Sequence, residues 1–405
     1  MFRILHTADW HIGKTLAGYD RTNEFEMFFR RLIDIISEEK PDLMIVAGDI
    51  FDSATPSNTS ASMYYRLLES IHTKFVNLKI VITSGNHDSP SYLNAPKEIL
   101  HYLNSEVVGS VIRNADKVDF EAMIRDFDSA IVCAVPYLRR GDIVAMGGDN
   151  PSVAQFYRKI LETALQKRGS RNIPIIGVGH LTTIGATYNK SAEKSIVATR
   201  DDSVGGLENI DPADFPEEFS YIALGHIHRR QKAGDRENIW YSGAPIPFSF
   251  AEKNYEHSLS IVDFDGAKLS QIRTVELPHV VKLRYIPEKL SDFETVASQL
   301  QQIPNDEDVF LEVNLRPEYR NPDIKARIIN ELLKGKKAKF CGFKLVDISG
   351  EYADYDNNVP MSVEQLQAMD PMSVIADIYH SRMRTQLSGH HADMLRTIID
   401  EIANN

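Results

Sequence analysis

Five times along this chain of 405 residues, a β-rich apolar run ends, usually at a glycine, and carboxylate, imidazole or amide groups follow at once. The five places are Asp9-Trp10-His11, Gly48-Asp49-Ile50-Phe51-Asp52, Gly85-Asn86-His87-Asp88, Gly179-His180 and Gly225-His226-Ile227-His228. Asp9 and His11 point the same way on an extended segment, because side-chain direction repeats every second residue. One such pair says little, since Asp-x-His arises by chance in many proteins. Five strand ends with the same grammar require a fold that gathers strand ends in one place.

Alternating strands and helices achieve that. Phe25, Phe28, Phe29, Leu32, Ile33 and Ile36 recur at helical spacing across residues 22–40, and Pro41 ends the run. Residues 42–47 are a near-continuous apolar strand, as expected when both faces of a sheet are covered. Residues 58–75 read as a second helix and 78–83 as a third strand. Parallel pairing through right-handed crossovers places Asp9, Asp49 and Asn86 at neighbouring C-terminal strand edges, where α/β sheets build their sites.

Further along, 130–136 reads as a strand, 141–151 as a Gly-rich loop, 151–168 as a helix and 173–178 as the strand leading to His180. Residues 185–217 lack periodicity and read as a long surface excursion, more often functional than incidental. Strands at 221–224, 239–242, 259–264 and 271–277 are expected to form a second sheet packed on the first. A boundary falls near Pro278, giving a first domain of 1–278. Residues 281–348 carry a self-contained β-α-β-α-β pattern, and 349–360 an acidic, turn-rich linker. The tail, 361–405, has two helical stretches, and Met394, Leu395, Ile398, Ile399 and Ile402 share one face of the second. Docking on another chain and packing back on its own body are both open for that tail.

Composition narrows the class. A net charge of −12 disfavours a free-standing, electrostatically driven nucleic-acid binder. It leaves nucleic acid open as a substrate. Only Cys133 and Cys341 occur, without a C-x-x-C, and both read as buried free thiols of a reducing compartment. The first strand begins almost at Met1, and no apolar run approaches a membrane span. The expected location is the cytoplasm.

The donor set points to two metal ions. A pair of divalent metals ~3.5–4 Å apart can orient a water, lower its pKa and neutralise a phosphoryl group during in-line displacement. Such a pair needs a bridging carboxylate, for which Asp49 is the natural choice. Asp9, His11 and one histidine of His226/His228 can complete one ion's shell. Asn86, His180 and the other histidine can complete the second. With no cysteine among them, the mixed nitrogen and oxygen donors suit manganese, iron or zinc. Glycines at 48, 85, 179 and 225 are expected to let the backbone turn sharply beneath the ions.

The constellation resembles the calcineurin-like metallophosphoesterase superfamily. Asp-x-His, Gly-Asp-x-x-Asp, Gly-Asn-His-Asp, Gly-His and Gly-His-x-His all stand intact and in order. Within it, the chain resembles the SbcD-type nuclease subunits, through residues 4–13, 46–52, 179–183, 221–229 and Gly243-Ala244-Pro245-Ile246-Pro247. The resemblance implies a four-layer αββα sandwich, a smaller α+β capping domain at 281–348 and a C-terminal helical tail that grips an SbcC-type coiled-coil ATPase. It also implies a homodimer, two Mn²⁺ ions and cleavage of DNA phosphodiesters in repair and recombination. It assigns Asp9, His11, Asp49 and His228 to one ion, and Asp49, Asn86, His180 and His226 to the other. His87 would protonate the leaving oxygen, and Asp52 would orient and charge-stabilise His87. A phosphatase or phosphodiesterase for small molecules or phosphoproteins would keep the same ligands, but gives no reason for the capping domain and tail.

Other polar residues have plainer readings. His72, His101, His257, His279, His380, His390 and His391 are read as structural or surface groups, and His6 as packing or support behind the site. Asp88 is open between support behind the site and, with Ser89-Pro90, a helix-start feature, the second being favoured; Trp10 is read as packing under the first metal loop. Arg139-Arg140 and the 334–339 lysines are read as solvated surface. Arg229-Arg230 is open between that and a phosphate-facing role.

Overall fold

The computed structural model describes residues 1–344 apart from 149–150, 192–193, 200–206, 208, 279 and 317–321. The linker and tail expected at 349–405 lie outside the described residues, as does the end of the 281–348 domain. Two six-stranded sheets lie face to face. The first has the order Lys268–Glu276, Ser258–Asp265, Phe2–Thr7, Leu43–Ala47, Lys79–Thr83, Ser105–Val108. The second has the order Gln231–Lys232, Ile239–Tyr241, Tyr221–Gly225, Ile175–His180, Ile131–Ala134, Ile124–Asp126.

Strand alternation builds the layers. Ile4, Leu43, Ile45, Ala47 and Val81 face the core between the sheets, against Val132, Ile176 and Ile222. Their neighbours Leu5, Met44, Val46, Ile80 and Ile82 face outward onto helices. Those helices are Thr22–Glu39, which buries Phe25, Phe28, Leu32 and Ile36, and Asn58–Lys74, which buries Leu67, Leu68 and Ile71. Ser57 caps the second by accepting from Ser60 N, and Lys40 ends the first in a left-handed conformation at φ 51°. Helix Val153–Arg168 covers the second sheet with Phe156, Tyr157 and Ile160. The result is the αββα sandwich.

Two local expectations are corrected. Residues 259–264 and 271–277 do not join the second sheet. Ser258–Asp265 pairs antiparallel with Phe2–Thr7, with Leu5 opposite Ile261, and extends the first sheet. Its alternating faces fit both cores there: Leu259 and Ile261 meet the helices, and Val262 and Phe264 meet the inter-sheet core. Within 141–151, Arg140–Met146 is helical; Asp142 accepts from Arg139 N at 2.9 Å, and Ile143 and Met146 are buried. The excursion at 185–217 includes a strand pair, Thr187–Ser191 with Lys194–Val197.

After the sandwich comes a three-stranded parallel sheet, Lys282–Ser291, Val309–Leu315 and Lys339–Phe343, with helices Phe293–Gln301 and Pro322–Leu332. It has its own core of Val296, Leu300, Val309, Leu311, Val313, Ile329 and Leu333. A smaller apolar cluster, Leu16, Phe250, Val281, Tyr285 and Phe310, joins this module to the sandwich. Cys133 is buried and Cys341 half-buried, both as free thiols. Among the described residues no helix is long and apolar enough to cross a membrane.

Candidate metal centre

Parallel strands ending at one edge bring the motif residues together. Asp9, Asp49 and Asn86 follow strands of the first sheet, while His180, His226 and His228 come from the end of the second. Asp9, His11, Asp49 and His180 are buried, Asn86, His226 and His228 are half-buried, and His87 is exposed. The cluster therefore has a closed floor and one open side.

Asp49 stands at the middle. Its Oδ2 lies 3.4 Å from His11 Nε2 and 3.3 Å from His180 Nε2, while its Oδ1 accepts from His87 N at 2.9 Å. On one flank, Asp9, His11 and His228 each offer a ligand atom within 4.8 Å of the others. On the other, His180 Nε2 is 3.1 Å and His226 Nδ1 2.9 Å from Asn86 Oδ1. Both Asp9 carboxylate oxygens accept from His226 N, at 2.9 and 3.1 Å. All seven residues named from the sequence meet in one cluster.

The tautomers show that this donor set fits cations. His180 Nδ1 donates to the Ala47 carbonyl at 2.9 Å, and His228 Nδ1 donates to Glu252 Oε1 at 2.9 Å. A neutral ring then presents a bare lone pair at Nε2. His180 Nε2 faces the Asp49 and Asn86 oxygens, and His228 Nε2 faces His11 Nε2 at 3.2 Å. Such a convergence of acceptors needs either an extra proton or a metal ion. The titration directions agree. Burial opposes charge on His180, yet Asp49 outweighs it and takes the ring up to about 9. Burial likewise opposes charge on His228, and Glu252 beside it takes the ring up to about 9. Burial also works against the Asp49 anion, but the surrounding imidazoles, His180 first, hold its carboxyl below the ordinary range. His226 is pushed down to about 3 by burial and by His180.

The backbone is strained where the donors sit. Asp9, His11, Asp49 and His226 have φ of 52°, 45°, 50° and 91°. Each left-handed non-glycine residue costs roughly 1–3 kcal/mol and persists only where its surroundings fix it. Of the four motif glycines only Gly48 shares that conformation, at φ 86°. Gly225 serves close approach instead, since a Cβ there would collide with the Ala47 carbonyl. The sharp turns thus fall on the donors more than on the glycines.

Two further expectations change. His87 Nδ1 donates to the backbone carbonyl of Asp52 at 3.0 Å. The Asp52 carboxylate turns instead to His11 Nδ1 at 3.4 Å and Lys14 Nζ at 3.1 Å, because the loop after the first strand brings both of those nitrogens close. Asp88 does not start the helix; Ser89 does, accepting from Tyr92 N. Asp88 is buried and accepts from Ile50 N, Phe51 N and Gly85 N at 3.1, 2.9 and 2.9 Å, stapling the Asp49 loop to the Asn86 loop. Trp10 is packing, buried against Phe28 and Phe29 with its Nε1 donating to Thr7 Oγ1. Sequence reading missed Glu252 and also Phe248, whose ring lies 5.0 Å from His11 and 5.3 Å from His228.

A model of the calcineurin-like phosphoesterase family matches residues 2–230, and the chain belongs to that family. Relatives within it are named as the SbcD component of the nuclease SbcCD. The one from Escherichia coli (strain K12) is 31% identical over 337 residues, 80% of this chain and 81% of the relative. That from Rhodobacter capsulatus is 34% identical over 298 residues, 70% of this chain and 71% of the relative. That from Staphylococcus epidermidis is 23% identical over 403 residues, 99% of this chain and 98% of the relative.

Proposed function

We propose that this chain is the nuclease subunit of an SbcCD-type DNA repair and recombination complex. It would hydrolyse phosphodiesters as an exonuclease on duplex ends and an endonuclease on hairpins or single strands. The observation that carries this reading is the convergence of seven donor residues beside an exposed imidazole, His87, in a relative of the SbcD nucleases.

Asp9, His11, Asp49 and His228 would hold one manganese ion, and Asp49, Asn86, His180 and His226 the other. When bound, the ions supply a low-pKa water and charge neutralisation at phosphorus. The chain's own groups do the rest. Asp49 shares one oxygen between the two flanks and keeps the other on His87 N. The Asp52 carbonyl holds His87 Nδ1, leaving Nε2 as the ring atom for the leaving oxygen's proton. Phe248 forms an apolar wall against the His11 and His228 rings. The 281–348 module would act as a capping domain over the DNA entry, and the 361–405 tail would bind an SbcC-type coiled-coil ATPase. The working unit would be a cytoplasmic homodimer.

The test is digestion of end-labelled duplex and hairpin DNA in Mn²⁺ by the wild type and His87→Gln. Cleavage by the wild type alone supports both the reaction and the role of His87. Equal cleavage by both removes His87 from that role. Hydrolysis of a simple phosphodiester without DNA cleavage, even with the ATPase present, defeats the nuclease reading.

A further inference from the structure

Glu252 lies 24 positions beyond His228, outside every motif, yet it is 8% exposed and has both oxygens committed. Oε1 accepts from His228 Nδ1 at 2.9 Å, and Oε2 accepts from Phe248 N at 2.8 Å. It closes a short turn, Phe250–Glu252, whose backbone is tied by Glu252 N to Ser249 O and by Tyr255 N to Glu252 O. Swinging the carboxylate away would break both of its bonds, to His228 and to Phe248 N.

The opposite side of that turn grips the module. Phe250 is buried with its ring 5.5 Å from Tyr285, in the cluster that also holds Val281 and Phe310. Lys253, the next residue along, places Nζ 4.1 Å above the same Tyr285 ring. At the other end of the segment, Arg21 donates to the Pro247 carbonyl and stands 5.6 Å from the Phe310 ring. So residues 247–253 touch His11 and His228 on one side and the 282–343 module on the other.

We propose that this segment couples the seating of the module to the half-site built by Asp9, His11 and His228, with Glu252 as its positioning residue. The carboxylate fixes which His228 nitrogen carries the proton and where Nε2 points. A displacement of Tyr285 or Phe310 reaches that nitrogen through Phe250 and Glu252. The proposal rests on the ligand assignment above, but not on DNA being the substrate.

The experiment is calorimetric titration of Mn²⁺ into the full-length wild type, Glu252→Ala, Glu252→Gln and Phe250→Ala, with thermal melts of each. Loss of a partner that orients a metal-bound histidine typically lowers affinity roughly 10–100-fold. Glu252→Ala is expected to weaken one manganese site by that factor and leave the other within about threefold. Glu252→Gln, whose amide oxygen can still accept from Nδ1, recovers part of the loss. Phe250→Ala shifts the same site in the same direction by a smaller factor. Unchanged affinities in Glu252→Ala, or an equal loss at both sites with a collapsed melt, overturn the positioning role. No shift in Phe250→Ala overturns the coupling. A wild type that binds no pair of ions removes the ligand assignment and this proposal together.

Discussion

His180 Nε2 stands 3.3 Å from Asp49 Oδ2 while its Nδ1 proton is committed to the Ala47 carbonyl, so only Nε2 can exchange a proton for a metal. His228 is in the same position through Glu252. Both rings are held up to about 9 against an ordinary 6.5. Their stabilising contribution to the metal-free fold is therefore complete below 6.5 and is lost as pH rises through about 9. Metal binding runs the opposite way. Near pH 7, loading two ions is expected to release about two protons, and each apparent affinity to rise roughly tenfold per pH unit until about pH 9. Calorimetry in buffers of different ionisation enthalpy counts those protons.

Asp88→Asn retains shape but replaces one acceptor oxygen by an amide N–H. At least one of the three N–H groups now bound by Asp88 loses its partner, and two donors face each other. A buried donor left unmade costs about 1–3 kcal/mol. Burial and the Asp49 charge already hold the Asp88 carboxyl up to about 6. The expected result is a loss in denaturant unfolding smaller than about 3 kcal/mol, because removing the buried charge offsets part of it above about pH 6, with weakened metal binding because the Asp49 and Asn86 loops separate.

Glu24 and Arg21 form a pair buried to 3% and 2% exposure, with Arg21 Nε and Nη2 donating at 2.7 and 2.6 Å. Breaking such a pair from one side leaves an uncompensated charge and costs roughly 3–5 kcal/mol. Glu24→Gln is expected to fall in that range by urea denaturation. The double change Arg21→Met with Glu24→Leu should cost clearly less than Glu24→Gln alone.

Glu312 gives the module its own pH signature. Burial pushes its carboxyl up to about 7, against the opposing pull of Lys344. A raised carboxyl favours the neutral acid in the fold, so its contribution is complete below the ordinary 4.5 and lost as pH rises through about 7. The shift corresponds to roughly 3 kcal/mol. Glu312→Gln should match the wild type near pH 4.5 and exceed it by up to that amount at about pH 8, as read by denaturation midpoints.

The candidate donors were legible because their chemistry is local: Asp9, Asp49, Asn86, His180, His226 and His228 each follow a run that declares itself a strand. The helix at 22–39 was equally plain from its phenylalanine spacing. What escaped depended on partners distant in the chain. Ser258–Asp265 announces a strand but not that its neighbour is Phe2–Thr7, more than 250 residues away. Glu252 has no spacing that ties it to His228, and only the folded turn supplies the relation. Asp88 is ambiguous for the opposite reason: Ser89-Pro90 beside it carries a sufficient local explanation, which outweighs in sequence the supporting role that the fold gives it.

The donors are split between sheets that the chain completes at different times. Asp9, Asp49 and Asn86 are made early, whereas His226 and His228 arrive only after more than half of the chain. No contiguous fragment shorter than 9–228 contains all seven. A nascent or truncated chain ending before that point cannot assemble both flanks, whatever else of it has folded. The centre is thus a product of long-range assembly, and the first 228 of the chain's 405 residues must exist before either half-site can be part of a pair.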